Sequence, residues 1–152
     1  MIARLTLLLV ALGIAVLVAG CGGGGDESES SATTVSTSSL NKAQFVKKAN
    51  AICERGRKKF LNYLSHEVNF PEAIEVSIVP AFEGIVEQVR DVGAPKGDAA
   101  QIEAFLGSMQ SGSDTLTEKR FSIKALPEIE PPFEGSARLA RQYGIRRCVF
   151  AF

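Results

Sequence analysis

The sequence predicts an all-α domain, an antiparallel bundle of about four helices, behind an apolar leader and a polar, disordered tether. Three observations carry that expectation. Between residues 42 and 143, apolar side chains recur at three- and four-residue steps in four stretches, the period of one helical face. Capping residues, or glycine and proline, separate the stretches. No alternating apolar and polar run long enough for a half-buried strand occurs. At 152 residues the chain holds one domain of ordinary size.

Residues 1–20 read as a targeting segment. Met1-Ile2-Ala3-Arg4 carries one cation, and residues 5–19 are an uncharged, almost wholly apolar run. That run is shorter than the roughly 20 residues a permanent span needs, and it suits the apolar region of a secretory signal peptide. Leu17-Val18-Ala19-Gly20-Cys21 then resembles the lipobox of bacterial lipoproteins. The resemblance implies cleavage between Gly20 and Cys21, a diacylglyceryl thioether on Cys21, and acylation, for example by palmitate, of the new amine. It also implies a place on the extracytoplasmic face of the cell membrane, with the membrane as a partner. Each buried CH₂ of such chains contributes about 0.8 kcal/mol, so several chains on one residue hold firmly. The competing reading is an ordinary signal peptide, or an uncleaved anchor, with Cys21 incidental.

Residues 21–39 follow as the lipidated cysteine and its tether. Glycines 22–25 precede Asp26, Glu27 and Glu29, and a Ser/Thr run follows in which Val35 is the single large aliphatic. Such a segment cannot bury enough surface to fold, and as flexible coil it spans about 25 Å root-mean-square. Spacing is the role this composition supports, with O-linked sugar on the Ser/Thr run as the alternative.

The folded part is expected over 40–152. The first helix is placed at 42–64, with Asn41 as N-cap, Gln44 closing a capping box, and Leu40 and Phe45 spaced as a hydrophobic staple. Phe45, Ala49, Ile52, Cys53, Gly56, Phe60 and Leu64 form its apolar face, where Gly56 reads as a close packing point. The second helix, 72–92, carries one stripe through Pro80, where a kink or break is expected. Gly93-Ala94-Pro95 ends it. The third, 99–120, repeats the capping-box spacing at Asp98 and Gln101, with Gly107, Ser111, Gly112 and Ser113 weakening its middle. The fourth, 132–143, has Gly144 as its natural stop.

Three cysteines leave an odd count for an exported protein. With Cys21 assigned to lipid, Cys53 and Cys148 remain, and outside the cytoplasm two such cysteines usually pair. The alternative is a pair of buried free thiols. The chain also resembles small lipoproteins of high-GC Gram-positive bacteria. The likeness lies in Asn41-Lys42-Ala43-Gln44-Phe45, Ala49-Asn50-Ala51-Ile52-Cys53, Gly93-Ala94-Pro95-Lys96-Gly97-Asp98 and the stretch from Ala140 to Cys148. It implies the bundle and the cysteine pair, and it brings no activity. The serine-rich middle of the third helix departs from that family's continuous apolar pattern.

Charge and composition narrow the chemistry. Seventeen cations balance seventeen acids, which argues against a nucleic-acid binder. One histidine excludes most histidine-built metal sites and most catalytic triads. His66, beside Glu67, reads as a solvated loop residue rather than a proton shuttle. Glu83, Glu87 and Asp91 fall at four-residue steps and could collect a divalent cation, but calcium sites usually draw mixed oxygen ligands from loops. The other reading is a solvated face, or one met by Lys47, Lys48 or Arg55. Lys47, Lys48, Arg55, Arg57, Lys58 and Lys59 make the first helix basic, and Arg138, Arg141, Arg146 and Arg147 make the chain's end basic. If the cysteines pair, these clusters become neighbours and form a candidate patch for an anionic membrane or an envelope partner. Ordinary solvated faces are the competing reading. Residues 149–152, Val-Phe-Ala-Phe, are expected to pack beside Cys148.

Two functions from different classes remain. The first is a non-enzymatic envelope lipoprotein that binds a protein or lipid partner, with no cofactor and no metal. The second is an exported ligand carrier or enzyme, with space left inside the bundle by Gly56, Gly84, Gly107 and Gly112. The bundle interior discriminates: a large pocket with converging polar groups favours the second, a filled core the first.

Overall fold

The computed structural model describes residues 35–65 and 69–150. The leader, Cys21, most of the tether, His66 and the last two residues lie outside the described residues. Helix α1, Lys42–Leu64, opens on the expected capping box. Asn41 Oδ1 accepts the Gln44 N–H at 3.0 Å, and Gln44 Oε1 accepts the Asn41 N–H at 3.0 Å. Two of the amides that a helix start leaves without partners are thereby satisfied. Its periodic face buries Phe45, Ala49, Ile52, Cys53 and Phe60.

The second rod starts earlier than its apolar pattern suggests and does not break. It consists of α2, Phe70–Ala73, a π-helical turn, Ile74–Ile78, and α3, Val79–Val92. The backbone stays right-handed helical at Ala73, Ile74, Ile78 and Val79. The Val79 N–H reaches back five residues to the Ile74 carbonyl. Pro80 has no N–H, and its ring would crowd the carbonyl of Val76 in an ordinary turn. The wider turn sits at that point, so the interruption expected at Pro80 takes the form of a π bulge.

Gly93 ends α3 at φ +72° and receives the chain's entry strand. The Ala94 N–H donates to Ser36 O at 2.8 Å, and the Ser38 N–H donates to Ala94 O at 2.8 Å. The Ser38 hydroxyl donates to Gly93 O at 2.9 Å. A Cβ on Gly93 would stand 2.9 Å from the Ser38 Cβ and 3.0 Å from Ser36 O, so glycine is required twice over. Val35 is buried. The tether was expected to run through Ser39; residues 35–38 instead belong to the fold.

Helix α4, Ala99–Lys119, runs unbroken through its small polar middle. The hydroxyls of Ser111, Ser113, Thr115 and Thr117 each donate to the carbonyl four residues back. Their polar atoms are thus satisfied on the helix itself. The second expected capping box does not form, because the Asp98 side chain makes no cap bond. Two 3₁₀ turns, Leu126–Ile129 and Pro131–Phe133, lead into α5, Glu134–Tyr143, which Gly144 stops at φ +100°.

α1 packs on α3, α3 on α4 and α4 on α5, and the 3₁₀ turn Arg146–Cys148 returns onto α1. The described residues form an all-α antiparallel bundle whose fourth gap that last turn closes. Phe82 is the centre of the core. Its ring stacks on Phe133 at 4.0 Å and on Phe60 at 5.8 Å, and meets Phe150 edge-on at 4.8 Å. Phe150 is buried, so the apolar end packs inward as far as it is described.

Candidate functional site

The helical faces bring Cys53 and Cys148 together, and they form a disulfide. Cys53 comes from the apolar face of α1 and Cys148 from the last 3₁₀ turn, and both are fully buried. Their Cα atoms stand 5.1 Å apart, an ordinary separation for a bridge. Beside it the Arg147 N–H donates to Asn50 Oδ1 at 2.8 Å. The Arg147 guanidinium lies 3.9 Å from Glu54, which also meets Lys58 at 3.6 Å. The chain's basic end therefore does lie against the basic first helix.

The expected patch is nevertheless not one surface. Lys47, Asn50, Glu54 and Lys58 share the side of α1 that faces Arg147, by their three- and four-residue spacing. Lys48, Arg55 and Lys59 fall on the side toward α3. Arg55 there donates to Gln88 Oε1 at 3.5 Å, and Lys59 borders an open cleft with Val76 and Pro80. Arg138 lies in a cleft with two acids, Glu130 and Glu134, and with Arg141. Arg141 and Arg146 instead share an open hollow of about 400 Å³ with Val149.

Glu83, Glu87 and Asp91 are exposed along α3, and no cation of a neighbouring helix pairs with them among the described residues. No group of three or more His, Cys, Asp or Glu side chains converges on a metal-sized space among the described residues. The charged link between α3 and α4 is a different one, Arg90 to Glu103 at 3.0 Å.

The glycines do not leave space inside. A Cβ on Gly56 would stand 2.5 Å from the Ile85 side chain, and one on Gly112 would stand 2.7 Å from the Phe133 ring. Gly107 faces solvent, and Gly84 meets only the Gln88 side chain. The glycines that point inward are filled by neighbours. The clefts lie at the surface; that formed by Ile74, Glu75, Val79, Glu83, Thr117 and Arg120 holds about 340 Å³.

Three features escape the sequence patterns. Tyr143 donates a short hydrogen bond to Asp98, which joins the end of α5 to the start of α4. Burial first, then the hydrogen bond to Asp98 and that residue's charge, push the Tyr143 phenol above its ordinary value. Lys42 places its ammonium 4.2 Å from the centre of the same ring. Lys96, a lone cation in a loop, lies in the turn between the entry strand's partner and Asp98. Tyr143 continues the apolar spacing of the fourth helix and Asp98 has capping spacing, but no sequence pattern pairs them with each other or with Lys42.

No family profile, curated protein or solved structure matches the chain. No helix among the described residues is long and apolar enough to cross a membrane.

Proposed function

We propose that the chain is a membrane-anchored lipoprotein of the extracytoplasmic face, and that its helical domain is a non-enzymatic binding or structural module. The observation that carries the reading is the apolar run ending in Leu17-Val18-Ala19-Gly20-Cys21. The pair Cys53–Cys148 supports it, because structural disulfides persist in oxidising compartments. The packed phenylalanine core and the filled glycine positions weigh toward a binding surface rather than a carrier or enzyme with a pocket between helices. A surface of this kind suits an envelope protein or a lipid partner.

Cys21→Ser tests the anchor. In cells fed a labelled fatty acid, the wild-type chain should take up label and sediment with membranes. The Ser variant should lose the label and be released or remain unprocessed. Full membrane retention of a correctly cleaved Ser variant would overturn the lipid-anchor reading.

A further inference from the structure

The point where the chain enters the fold is also where exposed cations gather. The entry strand lies on Gly93 and Ala94, and the turn that follows carries Lys96 and ends at Asp98. Asp98 accepts the Tyr143 hydroxyl and so holds the C-terminal end of α5 beside that turn. Lys42, the first residue of α1, lies over the Tyr143 ring. Past Gly144, the turn carrying Arg146 and Arg147 lies on the first half of α1, where Arg147 meets Asn50. Lys42, Lys47, Lys96, Arg141, Arg146 and Arg147 therefore share the entry half of the bundle, and all are exposed. Of these, among the described residues, Arg147 alone has an ion-pair partner, Glu54. Asp98, two residues past Lys96, is bonded to Tyr143.

We propose that this entry face docks on the anionic phospholipid headgroups of the bilayer that holds the anchor. The proposal rests on the lipid-anchor reading above and names the partner of that surface. Two arguments select this occupant. The first is reach. Thirteen residues separate Cys21 from Val35, so an anchored Cys21 keeps the entry strand within about 50 Å of the membrane at full extension. That reach lets the entry half meet the lipid. The second is charge. The six cations outnumber the acids of the same half, exposed Glu87 and Asp91 at the end of α3, Asp98 bonded to Tyr143 and Glu103 paired with Arg90, although the chain's formal net charge is zero. Each well-placed cation favours an anionic surface by about five-fold. The hollow between Arg141, Arg146 and Val149 offers a headgroup phosphate two guanidiniums and an apolar wall. Lys48, Arg55 and Lys59 lie on the side of α1 toward α3 and take no part.

The chain contains no tryptophan, so Gln142→Trp, an exposed site next to Arg141, gives a single reporter. The lipidated full-length protein is reconstituted in vesicles of phosphatidylcholine, with or without about one-third phosphatidylglycerol, each carrying a nitroxide-labelled lipid. Quenching is expected in the phosphatidylglycerol vesicles at about 50 mM salt, falling to the phosphatidylcholine level at about 500 mM. Arg141→Gln with Arg146→Gln should lower the docked-to-undocked ratio about 25-fold. Lys119→Gln with Lys124→Gln, on exposed residues at the far end, should change it less than about two-fold. Flotation with phosphatidylcholine vesicles at high salt reports the anchor separately. Retained flotation with equal quenching in both vesicles overturns the docking surface, as does equal loss from the two variant pairs. Lost flotation with phosphatidylglycerol-dependent quenching intact overturns the anchor and leaves the docking surface standing.

Discussion

The Tyr143 hydroxyl donates to Asp98 from a ring that is buried, edge-on to Phe45 at 5.8 Å. One residue thereby ties α1, α5 and the start of α4 together. Burial, then the Asp98 hydrogen bond and charge, favour the neutral phenol in the folded chain. The unfolded chain keeps an ordinary tyrosine near pH 10 and loses that proton first. The contribution is therefore complete below about pH 10 and disappears as pH rises through the folded value. Tyr143→Phe should lower stability at neutral pH by about 1–2 kcal/mol, since it removes a hydrogen bond to a carboxylate. It should also flatten the loss of stability above about pH 10. Denaturant unfolding of both proteins near pH 8 and near pH 11 reads the two effects; parallel losses would remove Tyr143 as the alkaline-sensitive group.

Helix α4 shows what a glycine does when its surroundings differ. Gly107 and Gly112 lie on one helix, yet a Cβ at Gly107 meets nothing within 4 Å, while one at Gly112 meets the Phe133 ring at 2.7 Å and Pro132 O at 2.9 Å. Gly107→Ala should stabilise by about 0.5–1 kcal/mol, because alanine orders the unfolded chain less expensively in a helix. Gly112→Ala gains the same preference but must displace an aromatic ring and a backbone carbonyl, so a net loss of about 1–2 kcal/mol is expected. Thermal melts of the two variants should move in opposite directions; a rise for both would mean that the 3₁₀ turn at Pro131–Phe133 yields at no cost. The helices themselves were legible because periodicity and caps are local: the Asn41–Gln44 box, the Gly144 stop and the Phe45-to-Phe60 stripe all appear as the sequence suggests. What escaped depends on partners distant in sequence. Asp98 has N-cap spacing, yet Tyr143, 45 residues on, takes its carboxylate. Val35 looks like an isolated aliphatic in a tether until Gly93 and Ala94 provide a strand edge for its neighbours. The basic residues of α1 form one cluster in sequence, but a helix distributes them over two sides, and only the fold decides which side meets Arg147. The inward glycines have the same ambiguity, since a missing side chain reads equally as a void and as a close contact until Ile85 and Phe133 are placed.

Across the whole molecule, the ring of helices closes at its last turn rather than along a helix pair. α5 packs on α4 and touches α1 through Tyr143 against Phe45, while the more extensive packing on α1 comes through Arg146–Cys148 and the Cys53–Cys148 bond. That bond spans 95 residues of sequence, nearly the whole domain. In the chain-entropy description, closing a loop of that length restrains the unfolded chain by about 4–5 kcal/mol. A domain near this size shifts its midpoint by roughly 4 °C or more per kcal/mol. Cys53→Ala should therefore lower the melting temperature by more than about 15 °C, with the helical content below the transition retained. Both sulfurs are fully buried, so reductant should act on the wild-type chain slowly in native buffer and rapidly once denaturant opens the fold. The check is a thiol count on unreduced protein from its native envelope, then melts of wild type, of Cys53→Ala and of protein reduced in denaturant and refolded. The bond predicts no free thiol, a large and similar drop for the last two, and loss of the Arg147 amide's protection from hydrogen exchange, because Asn50 holds that amide only while the turn lies on α1. Two free thiols together with identical melts would mean that packing of Phe150 and the Phe82 cluster, and not the covalent tie, closes the ring.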